Sequence, residues 1–236
     1  MIPRKERVGG KRSIWLMKLI LSLLLVGAVF AAAQTSKPSH PSLVPVVDDP
    51  KLPRVLIIGD SISMGYTVTV REKLAGAANV HRIMENGGPT SRGIDKIDKW
   101  LGDGKWDVIH FNWGLHDLRY MDDGKRQVEP PEYEANLRKL VARMKQTGAR
   151  LIWASTTPVP EGKLKPERRF GHEQAYNDIA AKVMQEEGVA VNDLYATALP
   201  KVGEFQKPQD VHFLPEGSVY LGDKVAAVIQ AALKAE

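Results

Sequence analysis

The chain of 236 residues carries 33 Lys and Arg against 28 Asp and Glu, is 43% hydrophobic and has no cysteine. Arg4, Lys5, Arg7, Lys11, Arg12 and Lys18 stand against Glu6 alone in residues 1–33, so the formal charge of +5 belongs to that segment and residues 34–236 are neutral. The balance excludes a basic nucleic-acid-binding domain, and the absence of cysteine excludes disulfides, thiolate metal ligands, a thiol nucleophile and S-lipidation.

Residues 1–33 read as an export signal. A basic segment precedes the apolar run Leu19-Ile20-Leu21-Ser22-Leu23-Leu24-Leu25-Val26-Gly27-Ala28-Val29-Phe30, and Ala31-Ala32-Ala33 offers the small residues that a signal peptidase prefers. Cleavage is expected after Ala33. The alternative is an uncleaved anchor over residues 14–33, a stretch just long enough to span a bilayer. Either form places the domain outside the cytoplasmic membrane, secreted or periplasmic, with its basic flank inside. Membrane contact is expected only through this segment. Residues 34–53, rich in Pro, Ser and Asp, read as a solvated linker.

From residue 54 to the C-terminus the pattern alternates strand and helix, which predicts one α/β domain with helices on both faces of a parallel sheet. Strands are expected at 54–59, 80–84, 107–113, 149–155 and 189–194. Helices are expected at 66–78, 93–101, 131–146, 171–187 and 215–234. In the helix at 93–101, Ile94, Ile97 and Leu101 share one face, as packing on a sheet requires. Gly148 and Gly188 supply stop signals.

The first strand, Val55-Leu56-Ile57-Ile58, runs into Gly59-Asp60-Ser61. An unbroken apolar run suits a strand buried on both faces. Ser61 then falls at the carboxyl end of a central strand, at or near a helix N-terminus. Ligands collect there in open α/β sheets, and free N–H groups stabilise negative charge. Taken alone, the motif is equally a helix cap.

Three further polar stretches reach the same sheet edge: Asn86-Gly87-Gly88-Pro89-Thr90, Trp113-Gly114-Leu115-His116-Asp117, and Gln209-Asp210-Val211-His212 with the residues that follow. The four blocks, in this order, resemble the SGNH hydrolases, the GDSL esterase/lipase family, over residues 54–234. The resemblance implies a flavodoxin-like three-layer α/β/α sandwich and a serine esterase that works through an acyl-enzyme without cofactor or metal. It makes Ser61 the nucleophile and, through its N–H, an oxyanion donor. Gly88 matches the second oxyanion donor and His212 the general base. Independently, a hydroxyl nucleophile needs a base that is neutral near pH 7, and His is that residue. The Gly-x-Ser-x-Gly elbow of α/β-hydrolases is missing around Ser61.

Two positions depart from the family pattern. His116 stands where the oxyanion Asn belongs; a neutral imidazole donates one N–H and can replace it. The acid expected three residues before His212 is Gln209, and Asp210 lies only two before it. Asp210 is the expected orienting acid, a backbone carbonyl the alternative, and Asp193 a distant third. Trp113, Asp117 and Tyr120 are the expected substrate-binding residues. Asp60 is expected to hold backbone N–H groups, and Asn86, Thr90 and Arg92 to shape their loop. Arg168-Arg169-Phe170 offers cations to an anionic substrate but reads first as a solvated loop, and His110 reads as a buried structural histidine. The expected substrate is a small ester or an acylated polysaccharide, with no nucleic-acid partner. A silenced carbohydrate-binding domain, or a lysophospholipase or thioesterase of the same fold, is the alternative.

Overall fold

The computed structural model describes residues 40–235; the expected export segment lies outside them. Five parallel strands form one sheet: β1 (Arg54–Ile58), β2 (Asn79–Arg82), β3 (Val108–Phe111), β4 (Arg150–Ala154) and β5 (Ala190–Asn192). Their order is β2-β1-β3-β4-β5, the flavodoxin-like arrangement. Val55, Ile57 and Ile58 of β1 have no exposed surface. An apolar run without alternation is what a strand covered on both faces demands.

The helices are α1 (Ser61–Lys73), α2 (Thr90–Leu101), α3 (Pro130–Lys145), α4 (Glu173–Glu186), α5 (Leu194–Ala198), α6 (Val202–Phe205) and α7 (Pro215–Lys234). α1 packs on α7, whereas α2, α3 and α4 pack side by side. This is the expected three-layer sandwich. The crossover from β1 runs one way to β2, and the later crossovers run the other way. Right-handed crossovers in opposite directions put their helices on opposite faces.

Element boundaries moved where a side chain fixed the end. α1 begins at Ser61, not at residue 66, because the Asp60 carboxylate caps it by accepting the Ile62 N–H at 2.9 Å. It stops at Lys73, and the chain turns through Gly76 at φ +73°. The last part of the expected strand 189–194 is instead the start of α5, whose N-cap is Asp193. α5 and α6 were not expected. Residues 40–53, expected as a linker, are mostly exposed but anchored. Asp48 pairs with Arg54 and His81, and Asp49 N–H donates to Asn79 Oδ1 at 3.0 Å.

Sheet register determines what meets at the carboxyl edge. Ile58 of β1 pairs with Phe111 of β3, and Ile57 with Arg82 of β2. The bonds continue past the strands: Asn112 N–H donates to Ile58 O at 3.0 Å, and Gly87 N–H to Gly59 O at 3.0 Å. The stretches that follow β1, β2 and β3 are thereby aligned at β1, where the direction of winding reverses. Open sheets bind ligands at that point.

Candidate active site

Ser61 is the first residue of α1. Its N–H, in the N1 position, has no carbonyl one turn back to bond. The Ser61 hydroxyl lies 2.8 Å from His212 Nε2. His212 Nδ1 lies 2.6 Å from Asp210 Oδ1, which also accepts the His212 backbone N–H at 3.1 Å. With its proton on Nδ1, the ring donates to Asp210 and offers the Nε2 lone pair to the Ser61 hydroxyl. Partial burial pushes the Asp210 carboxyl up, but its two bonds from His212 and the nearby charges hold it below the ordinary carboxylate range. It stays ionised through mildly acidic pH.

The spacing departure at Asp210 has a backbone solution. Residues 207–212 form a tight loop closed by Lys207 N–H donating to His212 O at 2.9 Å. Gln209 takes a left-handed φ of 53° within it, a conformation that costs a non-glycine residue roughly 1–2 kcal/mol. Gln206 Nε2 holds the far side, donating to Pro158 O at 2.8 Å and Val211 O at 3.1 Å. The turn aims Asp210 and His212 the same way. Asp193 is occupied elsewhere, accepting from Ser155 Oγ at 2.8 Å and capping α5.

Beneath the Ser61 turn lies Arg82, a residue that sequence reasoning passed over. Its guanidinium is buried and donates to five oxygens. Nη2 bonds Gly59 O at 2.9 Å and Asp60 O at 3.0 Å; Nη1 bonds Ile83 O at 2.6 Å and Glu85 O at 2.9 Å; Nε bonds Ser63 Oγ at 3.2 Å. Burial lowers its pKa to about 10, so it remains a cation at neutral pH. It ties the Ser61 turn to the loop after β2. Gly87 completes the joint, since a Cβ there would stand 2.8 Å from Gly59 O. The only sequence signal was an arginine at the end of a short strand.

Gly88 N–H, expected to face an oxyanion, donates to Asn86 Oδ1 at 2.9 Å in this structure. Asn86 does shape the loop, as expected, and Arg92 is anchored by an ion pair to Glu85. His116 is half-buried. Burial lowers its pKa, Arg168, Arg119 and His212 adding to the effect and Asp60 opposing it. The ring is therefore a neutral donor near pH 7, within electrostatic reach of His212.

Two of the three expected substrate-binding residues are core. Trp113 is 1% exposed and packs under α2, so close to Gly93 that a Cβ there would come within 2.9 Å of its Cζ2. Asp117 has no exposed surface. It accepts the Thr90 N–H at 2.8 Å and the Thr90 hydroxyl at 2.5 Å, capping α2 from a distance because the N-cap residue, Pro89, offers no side-chain acceptor. Tyr120 is half-buried, its hydroxyl 3.1 Å from His172 Nδ1. Arg168 is not solvated as expected: it is 6% exposed and donates to Leu115 O at 2.5 Å, while Phe170 is 58% exposed. His110 is buried in β3, its Nε2 3.1 Å from Asn192 Nδ2 and its Nδ1 without a partner. Among the described residues no group of three His, Cys, Asp or Glu is placed to hold a metal ion.

Two outcomes are expected. Arg82→Met unties the two loops and leaves several carbonyls unbonded; activity on p-nitrophenyl acetate falls by at least about tenfold at a temperature where circular dichroism shows the variant folded, one lost charged hydrogen bond being worth ~1.5–3 kcal/mol. The second outcome concerns Asp117. Burial raises its pKa to about 7, above the unfolded value, so the folded state binds the proton more tightly. Stability from this group is full in acid and is lost as pH rises toward 7. Asp117→Asn keeps an acceptor without the charge. Its melting temperature, compared with that of the parent chain, is expected to gain as pH is raised from 5 to 8; a constant difference contradicts the assignment.

The family model described as the GDSL-like Lipase/Acylhydrolase family matches residues 57–219. An arylesterase from Vibrio mimicus is 20% identical over 219 residues, covering 88% of this chain and 95% of that one. The lipase/acylhydrolase from Enterococcus faecalis is similar in structure, with a TM-score of 0.66 at 22% identity over 76% of this chain and 96% of that one. An acetylxylan esterase from Geobacillus stearothermophilus has a TM-score of 0.62 at 18% identity, over 78% and 95%. At these identities the structural likeness establishes the fold.

Proposed function

The chain belongs to the GDSL-like lipase/acylhydrolase family and is an esterase, and we propose that Ser61, His212 and Asp210 perform its acyl transfer on small O-acyl esters of a carbohydrate. The observation that carries this reading is the continuous line of hydrogen bonds from the Ser61 hydroxyl through the His212 ring to Asp210.

His212 Nε2 takes the hydroxyl proton as Ser61 Oγ bonds to the ester carbonyl carbon. The carbonyl oxygen becomes an oxyanion against the Ser61 N–H, which lies at the positive end of α1. The neutral His116 ring supplies a second donor. Gly88 N–H joins when it exchanges Asn86 Oδ1 for the oxyanion. His212 returns the proton to the leaving alkoxide, and the C–O bond of the ester breaks. Water then loses a proton to His212, attacks the acyl-enzyme carbonyl, and releases the acid and the Ser61 hydroxyl. Asp210 fixes the ring tautomer throughout.

A short acyl group suits the open setting of Ser61 and His212, both only half-buried. The carbohydrate acceptor is supported by the exposed aromatic Phe170 and by the acetylxylan esterases among the structural neighbours. Export is supported by the basic, apolar and small-residue order of residues 1–33, and sequencing the N-terminus of the exported chain tests it.

A serine-directed fluorophosphonate tests the centre. It is expected to label the parent chain on Ser61 and to leave Ser61→Ala unlabelled. His116→Ala is expected to lose about 10²–10³ in kcat, the usual cost of one oxyanion donor. Asp210→Asn is expected to lose at least about tenfold, since the tautomer of His212 is no longer fixed. A folded parent chain that neither labels nor hydrolyses p-nitrophenyl acetate contradicts the reading.

A further inference from the structure

The residues after β3 and the loop before α4 enclose a groove of about 780 Å³, within the size range of ligand sites. Its wall carries Arg119, Lys163, Lys165, Arg168 and Arg169 against two acids, Asp122 and Glu167. Glu167 is already paired with Arg169 at 3.0 Å. The remaining cations outnumber the remaining acid.

Two of these cations are built in rather than left in solvent. Arg168 is 6% exposed, and its Nε is anchored on Leu115 O at 2.5 Å. It forms no ion pair among the described residues, although Asp60 and Asp210 both lie within electrostatic reach. Arg119 has a buried Nε with no hydrogen-bond partner among the described residues. Burying a guanidinium without a carboxylate is costly unless something pairs with it. The groove also adjoins the reactive centre through the chain. Arg168 grips the residue before His116, and a Cβ on Gly162 would lie 3.2 Å from the side chain of Gln209, next to Asp210. Phe170 stands on the rim, 58% exposed.

We propose that this groove is a subsite for an anionic sugar, so that the enzyme acts on acyl esters of glycans bearing a carboxylate or sulfate next to the acylated unit. The guanidinium fork of Arg119 and Nη2 of Arg168, whose Nη1 donates to Pro166 O at 3.4 Å, pair the oxyanion. Lys163 and Lys165 supply longer-range attraction, and the face of Phe170 covers an apolar face of the ring. An aromatic beside a cluster of cations selects a sugar acid over a small inorganic anion. This subsite rests on the acyl-transfer reading for its place in catalysis, but its binding is separable from it.

The test uses titration calorimetry on Ser61→Ala, which binds without hydrolysing. The ligands are an oligogalacturonate, a sulfated galacto-oligosaccharide and a neutral xylo-oligosaccharide of equal length. At low salt at least one anionic oligosaccharide is expected to bind about tenfold or more tightly than the neutral one, the worth of a single charged hydrogen bond. The tighter of the two identifies the oxyanion. The preference is expected to collapse in about 1 M salt, where the screening length is ~3 Å. Arg119→Gln, and separately Lys163→Gln with Lys165→Gln, are expected to reduce it several-fold; both sites lie on the groove wall and leave the buried Arg168 in place. Equal binding of all three ligands, or no binding, or variants that bind like the parent, overturns the proposal. Fluorophosphonate labelling of the parent chain separates the two failures. Labelling without an anionic preference leaves the esterase reading intact and removes the subsite. An anionic preference without labelling keeps the subsite in a chain whose chemistry is silent.

Discussion

The Arg82 guanidinium is the contact on which the rest of the site depends. It is a cation buried beneath the Ser61 turn, paired with no carboxylate and satisfied by four backbone carbonyls and Ser63 Oγ. Taking such a group out of water costs several kcal/mol. Its hydrogen bonds offset that cost only while the turn after β1 and the loop after β2 keep their relative positions. The two loops are therefore rigid with respect to each other for an energetic reason, and Gly87 allows their close approach. A buried positive charge there also favours an anion held above Ser61, as the free N–H groups at the start of α1 do.

The second constraint is the loop that carries the base. Asp210 and His212 are separated by one residue, and the left-handed Gln209 with its Gln206 anchor makes that spacing workable. Asp210 stays charged because His212 donates to it twice. His116 stays neutral because burial and neighbouring cations oppose its protonation. The two groups standing in altered positions thus hold the charge states that the proposed acyl transfer requires: an ionised Asp210 behind His212 and an uncharged His116.

Much of this was legible in the sequence where chemistry and period agree. Val55 to Ile58, ended by Gly59, suits a strand covered on both faces, and Ser61 and His212 are residue types that suit acyl transfer. What stayed hidden depends on the closure of loops in space. Arg82 reads in sequence as an ordinary cation at a strand end; only the return of residues 83–88 toward Gly59 buries it. Trp113 and Asp117 follow β3 at the ligand edge, yet Trp113 packs under α2 and Asp117 caps the start of α2, since nothing in a strand terminus says which way the chain turns next. Arg168 sits in a polar stretch that reads as solvated, and it is buried because Leu115 O lies within its reach. The helices α5 and α6 are too short to impose a period, and the cap of α5 had been counted into a strand.

The central claim is that the acyl group passes through Ser61. Rapid-quench mass spectrometry of the chain during turnover of p-nitrophenyl acetate tests it most directly. The account predicts a transient acetyl group on the peptide containing Ser61, formed with the burst of nitrophenol and lost as water attacks. Turnover with no acetyl on that peptide, or with the acetyl on another residue, contradicts it.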